Sequence, residues 1–369
     1  MIVPGGVHES GRIRVIPALL ALIRRLAEKH DLTVVALRQY PSFRTFNLFK
    51  ARVVNLGTSR LKLPGWNLFL QWQKVWRLLH EQGNRFDLIH AFWLDVPAAL
   101  AVMAAKRLKI PVVASLGGGE MAWLPEIRYG GAGRRINRVR ISRVLERADV
   151  VTAGSRYALE PILKVRKDAG WVPLFPDEQP FLSAARAAEG PPWRLLQAAS
   201  INGVKDPFTL LDALRIVSDQ GTNIVMDWIG EDTLDGKVQA RAERMGLSGI
   251  VAFHGFQEYD RLPAFYSRSH LYVQSSLHES QGVAVCEAAA AGVPVVGTDV
   301  GLVKELSPER ALAVPAGDAL ALARAIQDLL DRPELRQAMA EKARTFAKEH
   351  PAGWTAERFE SIYRTLRLK

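Results

Sequence analysis

"SLHESQGVAVCEAAAAGVPVVGTDVG", residues 276–301, carries one step of a parallel sheet and, inside it, two glutamates in contrasting surroundings. "LYVQSS" just before it reads as a strand, "QGVAVCEAAAAG" as a helix starting at about Gly282, and "GVPVV" as the return to the sheet. Strand, glycine-bearing loop, helix and strand again form the βαβ unit of an α/β protein. Gly282 lets a ligand come close to the backbone. With Val283 it opens a helix whose first N–H groups lack intrahelical partners and suit an anion. Glu279 falls in the loop. Glu287 falls about a turn into the helix, among alanines and valines, where a carboxylate needs a partner. An ionised carboxylate only accepts hydrogen bonds and suits a vicinal diol, so two of them flanking an anion site fit a sugar nucleotide. A core arginine or a backbone cap as the partner of Glu287 is the alternative that spacing leaves open.

The same alternation runs through the chain. "LTVVAL" (32–37), "FDLIHAF" (86–92), "PVVASL" (111–116) and "DVVTAG" (149–154) read as buried parallel strands, with helices over 17–29, 95–109 and 134–147. "WVPLFPDEQPF" (171–181) breaks the pattern, its prolines and acids ruling out a helix or a central strand. The pattern resumes with "WRLLQAAS" (193–200), "NIVMDWIG" (223–230), "IVAFHGF" (250–256), "HLYVQSS" (270–276) and "PVVGTD" (294–299). The reading is two doubly wound, Rossmann-like halves facing a cleft, joined near 172–190. Ligands in such sheets bind at the carboxyl ends of the strands. Only "MIVPGG" precedes the first helix, where a buried strand has about five or six residues, which points to a curtailed or misassigned start.

At 369 residues the chain exceeds one ordinary core, and 48% hydrophobic with 24% charged residues is a globular balance. The longest apolar run, "VIPALLALI" (15–23), is about half of what a bilayer span needs, and the start lacks a signal peptide's basic and apolar regions. A single cysteine, Cys286, suits a reducing cytosol and reads as a small core residue. No Cys/His cluster has zinc spacing. The net charge of +11 invites anionic partners, yet the basic residues are scattered and no nucleic-acid motif stands out.

Glu279 and Glu287 reproduce the E-x7-E motif of glycosyltransferase family 4, and the whole 276–301 stretch resembles that family's run around it. The resemblance continues through "VAFHGF", "LPAFYSRSHLYVQSS", "LAVPAGDALALARAIQDLLDRPELR" and "WTAERFESIY", strong in the second half and weaker in the first. It implies a GT-B fold with an acceptor-side domain at 1–172, a nucleotide-sugar domain at 173–350, and a helix at 351–369 packing back on the first domain. It also implies a retaining transfer from a nucleoside-diphosphate sugar to a glycan or lipid-linked acceptor, without a metal or other cofactor. By position Glu279 would hold hydroxyls of the transferred sugar and Glu287 the ribose diol. Lys205 in "ASINGVKDP" aligns with the family's phosphate-contacting lysine; the alternative is a surface lysine at a helix start. The family's arginine is replaced by Ser200, for which Arg134, Arg135 or Arg138 would have to substitute. Gly11 matches the first glycine of the family's pair before the first helix, and Arg12 stands in place of the second. In "SLGGGEMAWLPEIRYGG" (115–131) Gly117 replaces the histidine of many members, Gly118 and Gly119 line the loop, and Glu120 is the candidate catalytic contact to the acceptor. His90 is either an acceptor contact or a satisfied core histidine.

"LPGWNLFLQWQKVWRLLH" (63–80) sets Trp66, Phe69, Trp72 and Trp76 at helical spacing beside Lys62, Lys74 and Arg77. Such a stripe either lies on an anionic membrane or packs on the sheet. The expected place is therefore the cytoplasm, with the inner face of the membrane as the alternative. Two competing classes remain: a non-catalytic nucleotide-sugar or glycan-binding protein, suggested by Ser200 and Gly117, and a sugar-nucleotide epimerase on the same fold.

Overall fold

A computed structural model describes residues 1–58, 66–81, 86–183 and 189–368. The chain divides into two compact units, Met1–Leu174 with Ala352–Lys369, and Phe175–Pro351.

The first unit is built on β1 (Ile2–Val3), β2 (Thr33–Ala36), β3 (Arg44–Leu48), β4 (Ala51–Asn55), β5 (Ile89–Phe92), β6 (Val112–Ser115), β7 (Val150–Ala153) and β8 (Gly170–Trp171). They form one sheet in the order β3-β4-β2-β1-β5-β6-β7-β8. Its helices are α1 (Pro17–Lys29), α2 (Trp66–Glu81), α3 (Val96–Leu108), α4 (Arg135–Arg147) and α5 (Arg156–Leu163). The inner strands β2, β5 and β6 are buried at every residue, which is why they read as unbroken apolar runs. One pair departs from the expected all-parallel sheet: β3 and β4 form an antiparallel hairpin at the edge.

The second unit opens with α6 (Gln179–Leu182), which corrects the reading of 171–181 as helix-free. Pro180 sits in its first turn, where its missing N–H is not needed. Then follow β9 (Trp193–Ala198), α7 (Pro207–Asp219), β10 (Ile224–Ile229), α8 (Lys237–Arg244), β11 (Val251–Phe253), α9 (Leu262–Ser267), β12 (Leu271–Gln274) and α10 (Val283–Ala291). The unit ends with β13 (Val295–Thr298), α11 (Gly301–Leu306), β14 (Leu312–Val314), α12 (Ala319–Asp331) and α13 (Pro333–Glu349). This sheet is parallel throughout, in the order β11-β10-β9-β12-β13-β14.

The last helix, α14 (Ala352–Arg367), returns to the first unit and packs on α1, burying Phe359, Ala356 and Tyr363. Thr355 Oγ1 donates to the Pro173 carbonyl at 2.9 Å. Among the described residues no helix is long and apolar enough to cross a membrane.

The tryptophan stripe resolves residue by residue. Trp72 is 9% exposed, stacks on Trp76 with ring centroids 5.8 Å apart, and lies under the Arg107 guanidinium at 4.8 Å. Trp76 packs against the core of the unit, and Lys74 Nζ donates to the Leu56 carbonyl at 2.8 Å. Phe69 points outward, 49% exposed. Lys62 and the Trp66 side chain lie outside the described residues. Trp72 is thus core, with Trp76 packed on it, and Trp72→Ala should cost about 3–5 kcal/mol of stability. Chemical denaturation checks this, and an unchanged midpoint would contradict the packing.

Candidate functional site

In the second unit β9 lies between β10 and β12, so the chain's strand order reverses at the β9–β12 boundary. That is the switch point where open α/β sheets bind ligands, outside the carboxyl ends of the strands. Two loops meet there. After β9, Asn202 caps a single 3₁₀ turn, Gly203–Lys205, accepting from the Lys205 N–H at 3.2 Å. After β12 comes the loop that carries Glu279. Lys205 Nζ donates to Glu279 Oε1, an ion pair whose side chains are 23% and 12% exposed. Ser276 Oγ donates to the same oxygen at 2.8 Å. The loops are also joined through backbone: Ser275 Oγ donates to the Lys205 carbonyl at 2.7 Å, and the Leu277 N–H to the Val204 carbonyl at 2.8 Å.

Gly282 is the N-cap of α10 at φ 95°, with no side-chain cap. The N–H groups at the start of α10, Val283 first, are therefore not consumed by a cap. Gly301, which sequence reasoning passed over, sets the other wall. At φ 56°, a Cβ there would stand 2.5 Å from the Gln281 carbonyl oxygen and 2.8 Å from the Glu279 Cβ. Only glycine permits that approach.

Glu287 answers the question its surroundings pose. It is 4% exposed, and its Oε2 accepts from the Tyr266 hydroxyl at 2.8 Å. The Tyr259 hydroxyl is near enough to add a weaker pull, though it makes no hydrogen bond of good geometry. The partner is a tyrosine, not a core arginine. Burial pushes the Glu287 carboxyl up to about 7, and the tyrosine hydroxyls pull only partly back. Next to it Cys286 is buried, its thiol raised by the same desolvation. The adjoining cavity, about 10 Å³, has room for a single water.

The first unit's candidates gather at the carboxyl ends of β5 and β6. Glu120 is 4% exposed, and its Oε1 accepts the Leu94 and Gly117 N–H groups, each at 3.0 Å. Its Oε2 has no hydrogen-bond partner among the described residues and lies where a Cβ on Gly118 would come within 3.3 Å. Burial lifts the Glu120 carboxyl to about 7, against the two backbone donors, with Asp95 adding repulsion. Trp93, at φ 74°, lays its indole over the glycine loop, so that a Cβ on Gly117 would be 2.5 Å from the ring. A side chain there would have to displace the indole; the tryptophan fills the space instead. Gly119 is similarly closed, by Tyr129 at 2.6 Å.

Of the two readings of His90, the structure places it in the core rather than in the cleft loop. It lies inside β5, 2% exposed, with Nδ1 bonded to the Tyr363 hydroxyl at 2.6 Å and Nε2 to Ser115 Oγ at 2.8 Å. Desolvation holds its pKa well below the usual histidine value. Gly11 turns an exposed loop at φ 64°, and Ser200 is exposed just past β9. Arg134, Arg135 and Arg138 are exposed in the first unit, the last donating to the Ala132 carbonyl at 3.2 Å. Trp93, Arg38 and Asp95, absent from the sequence reading, border a pocket of about 320 Å³ outside the ends of β1, β2 and β5. Their only signal in the sequence was position just after a strand. Among the described residues no group of three or more His, Cys, Asp or Glu side chains is placed to hold a metal ion.

The profile described as "Glycosyl transferase 4-like domain" matches residues 15–169, and that described as "Glycosyl transferases group 1" matches residues 178–346. The lipopolysaccharide core biosynthesis mannosyltransferase LpsB of Rhizobium meliloti is 34% identical over 139 residues, 35% of this chain and 39% of that protein. The D-inositol 3-phosphate glycosyltransferase of Streptomyces scabiei is 25% identical over 312 residues, 75% of this chain and 68% of that protein. The chain spans 50%, 39% and 41% of the length of three such relatives. Among solved structures, sucrose-phosphate synthase of Thermosynechococcus elongatus superimposes with a TM-score of 0.78 at 18% identity, over 99% of this chain and 98% of that one. HepE of Anabaena, in complex with UDP and glucose, gives 0.74 at 15% identity over the same shares. These likenesses show the fold, two parallel-sheet α/β domains of the GT-B class.

Glu120 and Glu287 stay protonated in the fold up to about pH 7, whereas in the unfolded chain they ionise near the ordinary 4.5. The folded state therefore holds more protons between those limits, and stability should fall as pH rises from about 4.5 to about 7. A Glu120→Gln, Glu287→Gln variant should show a flatter melting temperature across that window. Parallel curves for variant and parent would mean that neither carboxyl is shifted.

Proposed function

The chain belongs to the family 4 glycosyltransferases, and from that premise we propose that it transfers a sugar, with retention, from a nucleoside-diphosphate sugar to a glycan or lipid-linked acceptor. The observation that carries this reading is the Lys205–Glu279 pair at the β9–β12 switch point, next to the uncapped start of α10. Lys205 and the first N–H groups of α10 meet the diphosphate and stabilise the charge that grows on it as the glycosidic bond breaks. Glu279, released from Lys205, accepts hydrogen bonds from hydroxyls of the donor sugar. Glu287 takes the ribose diol, a contact that its 4% exposure admits only when the tyrosine-lined wall around it gives way. In the transfer the acceptor oxygen bonds to the anomeric carbon on the face the diphosphate leaves. The bond from that carbon to phosphate oxygen breaks, and a diphosphate oxygen takes the acceptor's proton. The protein supplies position and charge rather than a nucleophile.

Glu120 is better suited to hold the glycine loop through its two backbone N–H partners, presenting Oε2 to an acceptor hydroxyl. The cation role falls to Lys205 and the helix terminus, so a divalent metal is not required, and transfer should persist in EDTA. Binding without transfer is the second reading, favoured by the missing cation at Ser200; nucleoside-diphosphate release with and without acceptor separates the two.

UDP is the first nucleotide to test, since HepE was solved with it. Lys205→Ala should lower UDP affinity by about 10- to 100-fold, roughly 1.5–3 kcal/mol for a hydrogen bond to a charged group. Glu279→Ala should leave UDP affinity nearly unchanged and weaken the UDP-sugar. Calorimetry reads both, and a Lys205→Ala protein that binds UDP as tightly as the parent would remove the phosphate assignment.

A further inference from the structure

Two pockets of the first unit, each of about 320 Å³, share walls. The polar one lies outside the ends of β1, β2 and β5 and is bordered by Arg38, Trp93 and Asp95. It sits where β1 separates β2 from β5, the switch point of that sheet. The apolar one lies between α2, α3 and α4, lined by Ala99, Val102, Met103, Ile136 and Val139. Leu68 and Arg140 belong to both. A ligand filling both would need a polar end at the strand ends and an apolar stretch lying between helices.

The chemistry of each part is defined. Arg38 is exposed at the end of β2, and Arg140 uses one N–H on Asn137 Oδ1 at 3.0 Å, so two guanidinium groups face the polar pocket and suit a phosphate. Asp95 starts α3 without making a side-chain cap, leaving its carboxylate to accept from a hydroxyl. Along α4 five arginines stand against one acid, Glu146, which is held by Ser142 Oγ at 3.0 Å. Ile136 and Val139, on the same helix, are 60% and 47% exposed. The groove is mainly aliphatic, with Arg140, Arg143 and Arg147 contributed by α4, a combination that suits an apolar chain carrying an anionic end. An aliphatic chain needs only apolar surface.

Building on the transferase reading above, we infer that the acceptor is a lipid phosphate: its phosphate and sugar-accepting head occupy the polar pocket against Arg38, Arg140 and Asp95, and its hydrocarbon chain lies in the groove between α2, α3 and α4. Arg140 stands at the junction, where phosphate follows chain.

Direct binding to the full chain tests this without turnover. Dodecyl phosphate, butyl phosphate and dodecyl maltoside are titrated below their micelle concentrations. Each buried methylene adds roughly fourfold in affinity, so dodecyl phosphate should bind at least about 100-fold more tightly than butyl phosphate, the gain from burying only about three or four of its additional methylenes. It should also bind more tightly than dodecyl maltoside, by about tenfold or more for the lost ionic contacts. Val139→Asp, at an exposed position, should weaken dodecyl phosphate and leave butyl phosphate unchanged. Arg140→Gln should weaken both phosphates and leave the maltoside unchanged, with melting curves confirming that each variant is folded. Equal affinity for the two phosphates would make the acceptor a soluble anion; equal affinity for the two dodecyl compounds would make the groove merely apolar. Either result, or no binding of any probe, overturns the inference. UDP titration of the same protein keeps the questions apart: UDP bound with no alkyl phosphate bound defeats the lipid acceptor alone.

Discussion

Lys205 and Glu279, 74 residues apart in sequence, meet at the carboxyl edge of the second sheet, and the local architecture is arranged around that meeting. Neither group is fully in water, so each has lost part of its hydration, and the attraction between them has to offset that loss. The surroundings supply what the pair alone lacks. Ser276 gives Glu279 a second donor, and its own carbonyl is held by Thr298 Oγ1 at 2.6 Å. Two further hydrogen bonds tie the Lys205 segment to the β12 exit. A partly buried ion pair is a poor way to gain stability, because apolar residues of similar size would do as well. It is a good way to hold a cation and a carboxylate ready, each able to exchange its protein partner for a ligand's phosphate or hydroxyl.

The two buried glutamates show the same physical difficulty met by different means. Glu287 is surrounded by tyrosines, whose hydroxyls can donate without adding charge, and Tyr266 is raised well above an ordinary phenol by burial and by that carboxylate. Glu120 instead takes backbone N–H groups from Leu94 and Gly117, and so fixes the course of the chain at two strand ends at once. Both carboxyls are raised to about 7, since neither set of donors overcomes desolvation. The difference lies in what would move if the charge changed: a wall of side chains around Glu287, the glycine loop around Glu120.

What the sequence made legible was set by burial. Strands buried on both faces, such as β2 and β6, leave continuous apolar runs, and helices such as α1 begin where a proline and a periodic pattern coincide. The hairpin β3–β4 escaped because β3 is an exposed edge strand, "RTFNL", with neither an apolar run nor a turn glycine. Glu279, Glu287 and Lys205 could be singled out by local context, but their partners could not. Tyr266 sits 21 residues before Glu287, and nothing in its own surroundings marks it as a carboxylate's donor. Trp93 was invisible for another reason: its left-handed backbone and its cover over Gly117 come from the ends of β5 and β6 lying side by side. Position at a strand's end was legible; which side chain occupies the space there was not.

The same limit bears on α2 and α4, whose compositions do not say which of them keeps apolar residues at the surface. Both are amphipathic, and amphipathicity fixes that one face is buried without fixing what buries it. In α2 the aromatic stripe is wide, and Trp72, Val75 and Leu79 sink into the core between sheet and helices, while Phe69 is turned outward. In α4 the apolar content is too small for that: Ile141, Val144 and Leu145 supply the buried face, and Ile136 and Val139 are left over on the outside among arginines. A tryptophan-rich segment attracts attention as a membrane surface because tryptophan is conspicuous at interfaces, yet a large ring gains most from full burial when a core is within reach. Arginine has no such option. Its guanidinium stays at the surface while its stem lies along apolar neighbours, so an arginine-rich helix with leftover aliphatic residues keeps an exposed face that is cationic and apolar together. In this fold that face belongs to α4, beside the groove and the strand-end pocket that share Leu68 and Arg140.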